Sequence, residues 1–180
     1  MTRSYSLIAV IFILLNFGWS CSSQKQALEG TTTMSAKTHE LAERIKRDNI
    51  VSSEHIGRDS QPSPAFQNAE KLKAVASIEE LRLLTDDENA ALSAIAFEGL
   101  FEKDYNGIDE VLVKYVERDD EVQVISGDLF REIPLLEYAF ENVMGYDVEN
   151  PIQKPEPSKQ ISPELEQMIR AKLYSGPSNH

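Results

Sequence analysis

Few residues in this chain are equipped for chemistry: one cysteine, Cys21, histidines at 39, 55 and 180, and a large surplus of carboxylates. Metal binding needs such groups at ligand spacing. No histidine has a suitable neighbour, so no zinc set assembles around Cys21 and no metal site is expected. The chain has no G-x-S-x-G elbow and no phosphate-cradling glycine loop. "EKDYNGIDEVLV" approaches a calcium loop, but setting Asn106 and Gly107 at its fifth and sixth positions puts Val113 where the closing glutamate belongs. Carboxylate pairs abound, yet in a chain of net charge −12 an arbitrary pair says little about acid–base catalysis. Neither an enzyme nor a cofactor is expected.

One carboxylate pattern stands out. Asp86, Asp87 and Glu88 form a "DDE" cluster, and Asp119, Asp120 and Glu121 repeat it at an equivalent junction. Acids favour the first turns of helices, so capping and dipole compensation account for most such clusters. The functional reading is an acidic rim that selects a basic protein partner. Nucleic acid is excluded as a partner, because phosphates would be repelled and no basic stripe overrides the charge.

Cys21 needs its own account. Arg3 gives a positive start, Leu7 to Phe17 is an apolar run broken only by Asn16, and small polar residues follow. This is the layout of an export signal, and the run falls short of the roughly 20 residues of a spanning helix. Ordinary cleavage would fall at Ser20 or Ser23, with Gly18 or Cys21 two positions before the cut. The other outcome is lipidation. "GWSC" resembles the motif that ends a bacterial lipoprotein signal, with Cys21 as the acylated first mature residue and Gly18 where the family has an aliphatic. Such a resemblance implies anchorage to a lipid bilayer through acylated Cys21. A lone cysteine in an exported chain has no intrachain disulfide partner.

The elements that must position these groups read as helices. Residues 1–20 are signal and 21–63 a tether, in which Met34 to Asn49 is a polar helix that serves as spacer or docks loosely. Ser63-Pro64 starts a helix whose Phe66, Ala69, Leu72 and Ala76 share a face. Ser77 with Glu80, and Thr85 with Glu88, read as capping boxes. Leu92, Ile95, Ala96, Gly99 and Leu100 then form one stripe, followed by Ile108, Val111, Leu112 and Tyr115. Leu129, Ile133, Leu136, Phe140 and Val143 recur every three or four residues, with a kink or restart at Pro134. Only "EVQVIS" alternates as a strand would, a weak exception to an all-α domain over 64–145. Residues 146–161 are a proline-rich linker, and 162–176 an amphipathic helix that packs on its own domain or detaches to bind a partner.

"LTDDENAALSAIAFEGL" resembles a HEAT-type helical repeat, with Asp87, Leu92, Ala96 and Leu100 at its acidic, aliphatic, small and closing positions. Ser93 stands where the family commonly has a base. Residues 108–116 look like the second helix, and the segment from Asp119 or Asp120 through Val122 to Val143 like a degenerate second copy. The resemblance implies a short α-α superhelical stack that exposes one side to a protein partner. The sequence therefore leads to a lipid-anchored, non-catalytic protein-binding module of the bacterial envelope. The alternative is a soluble periplasmic or secreted acidic helical module that neutralises a toxin or enzyme.

Overall fold

A computed structural model of the chain describes residues 33–146 and 160–174. Cys21, the signal, the first part of the tether and most of the proline-rich segment lie outside the described residues. The described elements run α1 (Ala36–Asp48), β1 (Val51–Ile56), β2 (Gln61–Pro62), α2 (Pro64–Val75), α3 (Ile78–Leu84), α4 (Ala90–Glu102) and α5 (Ile108–Val116). They continue with β3 (Glu121–Gly127), β4 (Leu129–Pro134), α6 (Leu135–Glu137), a π-helical turn over Tyr138–Val143, and α7 (Pro163–Tyr174).

The fold is mixed α/β, which corrects the expectation of an all-α stack. Four strands form one sheet in the order β2-β1-β3-β4. β1 and β3 are parallel, joined by a crossover through α2 to α5, and the two outer pairings are antiparallel. The expected second HEAT-like copy is instead a β-hairpin. Val122, Val124 and Ile133 point inward and are buried, with Val122 opposite Ile133 and Val124 opposite Arg131. Gly127 has φ 62 and closes a two-residue turn with Asp128, where Ser126 pairs with Leu129. A Gly-Asp pair between two strand-length runs is a hairpin signal in its own right. The helical reading failed because a spacing of four, as from Leu129 to Ile133, keeps two residues on one face in either periodicity.

α4 is the central element. Every position from Ala90 to Phe97 is buried, together with Gly99 and Leu100, so the helix is enclosed on all sides and not along one stripe. Gly99 permits that enclosure, since a Cβ there would lie 3.0 Å from Leu81 Cδ1 and 3.2 Å from Lys73 Cγ. The α4 cap is Asn89, whose Oδ1 accepts from Leu92 N at 2.9 Å. Thr85 ends α3 rather than opening a capping box with Glu88, and its hydroxyl donates to Arg82 O. The other start signals match: Ser63 caps α2 ahead of Pro64, and Ser77 with Glu80 makes a complete capping box on α3.

α1 is an integral part of the core, not a spacer. Thr38, Leu41, Ala42 and Ile45 are buried, and the Ser35 amide at its start donates to Glu80 Oε1 at 2.6 Å. α7 packs back on the domain through buried Leu165 and Ile169. Arg170 lies 5.6 Å over the Phe140 ring, which stacks in turn on Tyr146. Among the described residues no helix is long and apolar enough to cross a membrane.

Candidate functional site

The two acidic clusters converge only in part. Asp86, Asp87, Glu88 and Asp120 line one open depression of about 450 Å³, shared with Lys114, Glu117 and Arg118. Asp119 pairs instead with Lys172 of α7 at 2.6 Å, and Glu121 begins β3 with its side chain exposed. Most of these charges have resident partners. Lys114 Nζ donates to both Asp86 oxygens at 2.6 and 2.7 Å, Lys46 pairs with Asp87 at 2.7 Å, and Arg118 Nε donates to Asp120. Among the described residues Glu88 and Glu121 have no ion pair.

Arg118 explains why the clusters sit where they do. Its Nη1 donates to Thr85 O at 3.0 Å and to Ser93 Oγ at 3.1 Å, and its Nη2 donates to Asp87 O at 2.9 Å. The guanidinium also covers the Tyr115 ring at 5.5 Å. Ser93 and Tyr115 complete the network beneath it: Ser93 Oγ donates to Thr85 O and Tyr115 Oη to Ser93 O. Burial pushes the Tyr115 hydroxyl well above its ordinary range, keeping it a neutral donor. Asp87 Oδ1 accepts from Asn89 N at 2.9 Å, so one member of the cluster turns the chain into α4. Arg118 with Thr85, Asp87, Ser93 and Asp120 is a satisfied structural joint between the α3–α4 loop and the start of β3, with Glu88 and Glu121 outside it.

A different arrangement lies on the inner face of the sheet. A cleft of about 210 Å³ separates β1, β3 and β4 from α2, α4 and the π turn. Val51, Phe66, Ala69 and Val124 give it an apolar floor, and Glu98, Tyr138, Asn142 and Arg131 bring polar groups to it. The π turn supplies Tyr138 and Asn142, and its wide register is marked by Met144 N donating to Ala139 O. Such turns recur at functional sites.

One cation serves this cleft's carboxylates. Lys73, buried to 8 % side-chain exposure, pairs with Glu70 at 2.6 Å, Glu98 at 3.2 Å and Glu102 at 2.6 Å. Burial works against the ammonium charge, but hydrogen bonds to Glu102 and Glu70 and the attraction of Glu98 outweigh it, so the lysine stays firmly charged. Burial raises the Glu98 carboxyl above the usual carboxylate range, although the Tyr138 hydroxyl donates to it and Lys73 stands beside it. Tyr138 is raised by its own burial and by that neighbouring carboxylate. Arg131 stands opposite Val124 on the sheet's inner face, is exposed at the cleft mouth, and has no hydrogen-bond or ion-pair partner among the described residues.

The third feature is the hairpin edge. Leu129 and Phe130 are exposed to 64 % and 59 %, and among the described residues β4 has no strand on its outer side. Leu135 N donates to Asp120 O, which fixes the alternation of the ladder and leaves the N–H and C=O of Phe130 and Glu132 facing outward. Pro134, which has no N–H, occupies an outward-facing position of the same series.

Sequence reasoning singled out the two acidic clusters, of which the fold brings Asp86, Asp87, Glu88 and Asp120 together, and missed the cleft and the edge. Glu98, Tyr138 and Arg131 come from elements far apart in the chain, and only the Gly127-Asp128 turn signal marks the edge. Among the described residues no group of three or more histidine, cysteine, aspartate or glutamate side chains could hold a metal ion. The chain matches no protein-family model, no curated protein and no solved structure.

Proposed function

We propose that this chain is a non-catalytic protein-binding module, exported to the bacterial cell envelope and held at a bilayer by acylation of Cys21. The partner is a protein that adds a strand to the outer edge of β4. One observation carries the reading: a six-residue edge strand, unpaired on its outer side among the described residues, with Leu129 and Phe130 exposed beside outward-facing backbone donors and acceptors. Strand addition uses those backbone groups for affinity and alternate side chains for selection. Two copies of the chain are poor occupants, because the best-overlapped symmetric registers oppose Arg131 to Arg131 or Glu132 to Glu132. The anchor is supported by the "GWSC" motif and by a net charge of −12, which leaves adhesion to anionic lipid to the acyl chains.

The test joins two measurements. Intact-mass analysis of the membrane fraction should find the mature chain starting at Cys21 with added acyl mass. A photo-crosslinker at Phe130 should give a discrete adduct in the envelope that Glu132→Pro abolishes, since proline removes an outward N–H without touching the bonds to β3. Unacylated protein in the aqueous fraction would overturn the anchor. An adduct indifferent to Glu132→Pro would overturn strand addition. The net charge keeps one alternative in view, a soluble acidic module that neutralises a toxin or enzyme. In that case partner binding would weaken steeply with salt.

A further inference from the structure

The cleft on the inner face of the sheet has a charge layout that the fold does not use up. On its helical side the lining carboxylates Glu70 and Glu98 share the ammonium of Lys73 with a third, Glu102, which stands outside the lining. That side therefore carries more negative than positive groups, with Glu98 and its donor Tyr138 at the cleft wall. On the strand side Arg131 presents a guanidinium without a partner among the described residues, although it stands on the inward-facing row of β4 between Leu129 and Ile133. Between the two poles Val51, Phe66, Ala69 and Val124 give apolar surface, with Ser53 and Ser126 among them. An unpaired cation and a surplus of carboxylate on opposite sides of one cleft match a molecule with the opposite polarity at its two ends.

Size narrows the class. The cleft holds about 210 Å³. That is below the roughly 300–1,000 Å³ of sites for drug-sized ligands. A molecule of the size of a free amino acid suits that space better than a larger ligand does.

We infer that this cleft binds a small dipolar molecule, an amino acid or a short homologue, with its carboxylate on Arg131 and its ammonium toward Glu98 and Tyr138. The guanidinium fork suits a carboxylate in two-point contact. The ammonium would supply the charge that Lys73 alone cannot, and would relieve the cost of keeping Glu98 buried. Asn142, one turn after Tyr138 and exposed at the same wall, offers an amide to either end. The inference is independent of strand addition, which uses the outward backbone of Phe130 and Glu132.

The experiment uses the full-length protein with glycine, 4-aminobutanoate and L-leucine as probes, read by calorimetry and by amide chemical shifts. Propionate and butylamine, each carrying one pole, are the comparison. At least one of the three dipolar probes should bind at millimolar concentration, about tenfold tighter than either single-pole molecule, a difference of about 1.4 kcal/mol. The shifts should map to Val124, Tyr138 and Asn142. Arg131→Gln should weaken binding about tenfold, and because Arg131 is exposed and unpaired the variant should fold normally. Glu98→Gln gives the same readout from the other pole where it folds. Absence of binding by all three probes would overturn the inference. So would equal binding of butylamine, or binding that Arg131→Gln leaves unchanged.

Discussion

Two polar centres flank α4, each organised by one buried or half-buried cation, and they are built on opposite plans. Around Arg118 the donors match the acceptors: two backbone carbonyls, one hydroxyl and the Asp120 carboxylate. Around Lys73 one ammonium faces three carboxylates, and burial raises one of them, Glu98. The first centre closes on itself and ties two chain segments together. The second stays short of positive charge and opens to a cleft. A charged cluster legible in sequence can thus be structural, while one assembled by the fold retains capacity to bind.

The comparison can be broken most directly at Arg118. Arg118→Met leaves the Asp87 carbonyl without its donor, the Thr85 carbonyl with Ser93 Oγ as its remaining one, and Asp120 without its cation, and should cost roughly 3–5 kcal/mol. Urea unfolding measures it, and the loss should be nearly the same at mildly acidic and neutral pH. A loss under about 1 kcal/mol would mean that the joint is dispensable.

Lys73→Met should cost about 3 kcal/mol at neutral pH, because the carboxylates are left facing one another and one is buried. Here the loss should depend on pH. The folded protein holds the Glu98 proton more tightly than the unfolded chain does, so stability from this group is greatest below its unfolded pKa and falls as pH rises through the folded one. Without Lys73 that fall extends further upward in pH. Stability curves should therefore converge on the wild type on acidification, and parallel curves would remove the distinction between the two centres.

The smallest effect sharpens the assignment of the rim. The Lys114–Asp86 pair is half exposed on both sides. Asp86→Asn should change stability by no more than about 0.5 kcal/mol, and added salt should erase the difference. A larger, salt-resistant loss would make Asp86 part of the Arg118 joint.

Several elements were legible for identifiable reasons. Ser63-Pro64 and the Ser77–Glu80 box are local signals whose hydrogen bonds close within a few residues, so they survive any tertiary context. Ile108, Val111, Leu112 and Tyr115 are buried as their helical spacing predicts, since α5 presents one face to the core. Asn49 ends α1 at φ 48, a conformation asparagine tolerates. The hairpin was less legible because Arg131 interrupts the inward row of β4 and Leu129 lies exposed at its tip. β1 is harder still: "VSSEHI" has one deeply buried residue, Val51, and takes its place in the sheet from pairing with β3 across the whole helical crossover.

By itself the sequence determined where most helices start and which faces of α2 and α5 turn inward. These follow from interactions between near neighbours, in which periodicity and capping act directly. Tertiary structure alone decided that α1 belongs to the core, that residues 121–134 pair as strands, and that Glu98, Tyr138 and Arg131 share a cleft. Strand pairing and charge placement are set by partners distant in the chain, and no local spacing records which distant residue will be opposite.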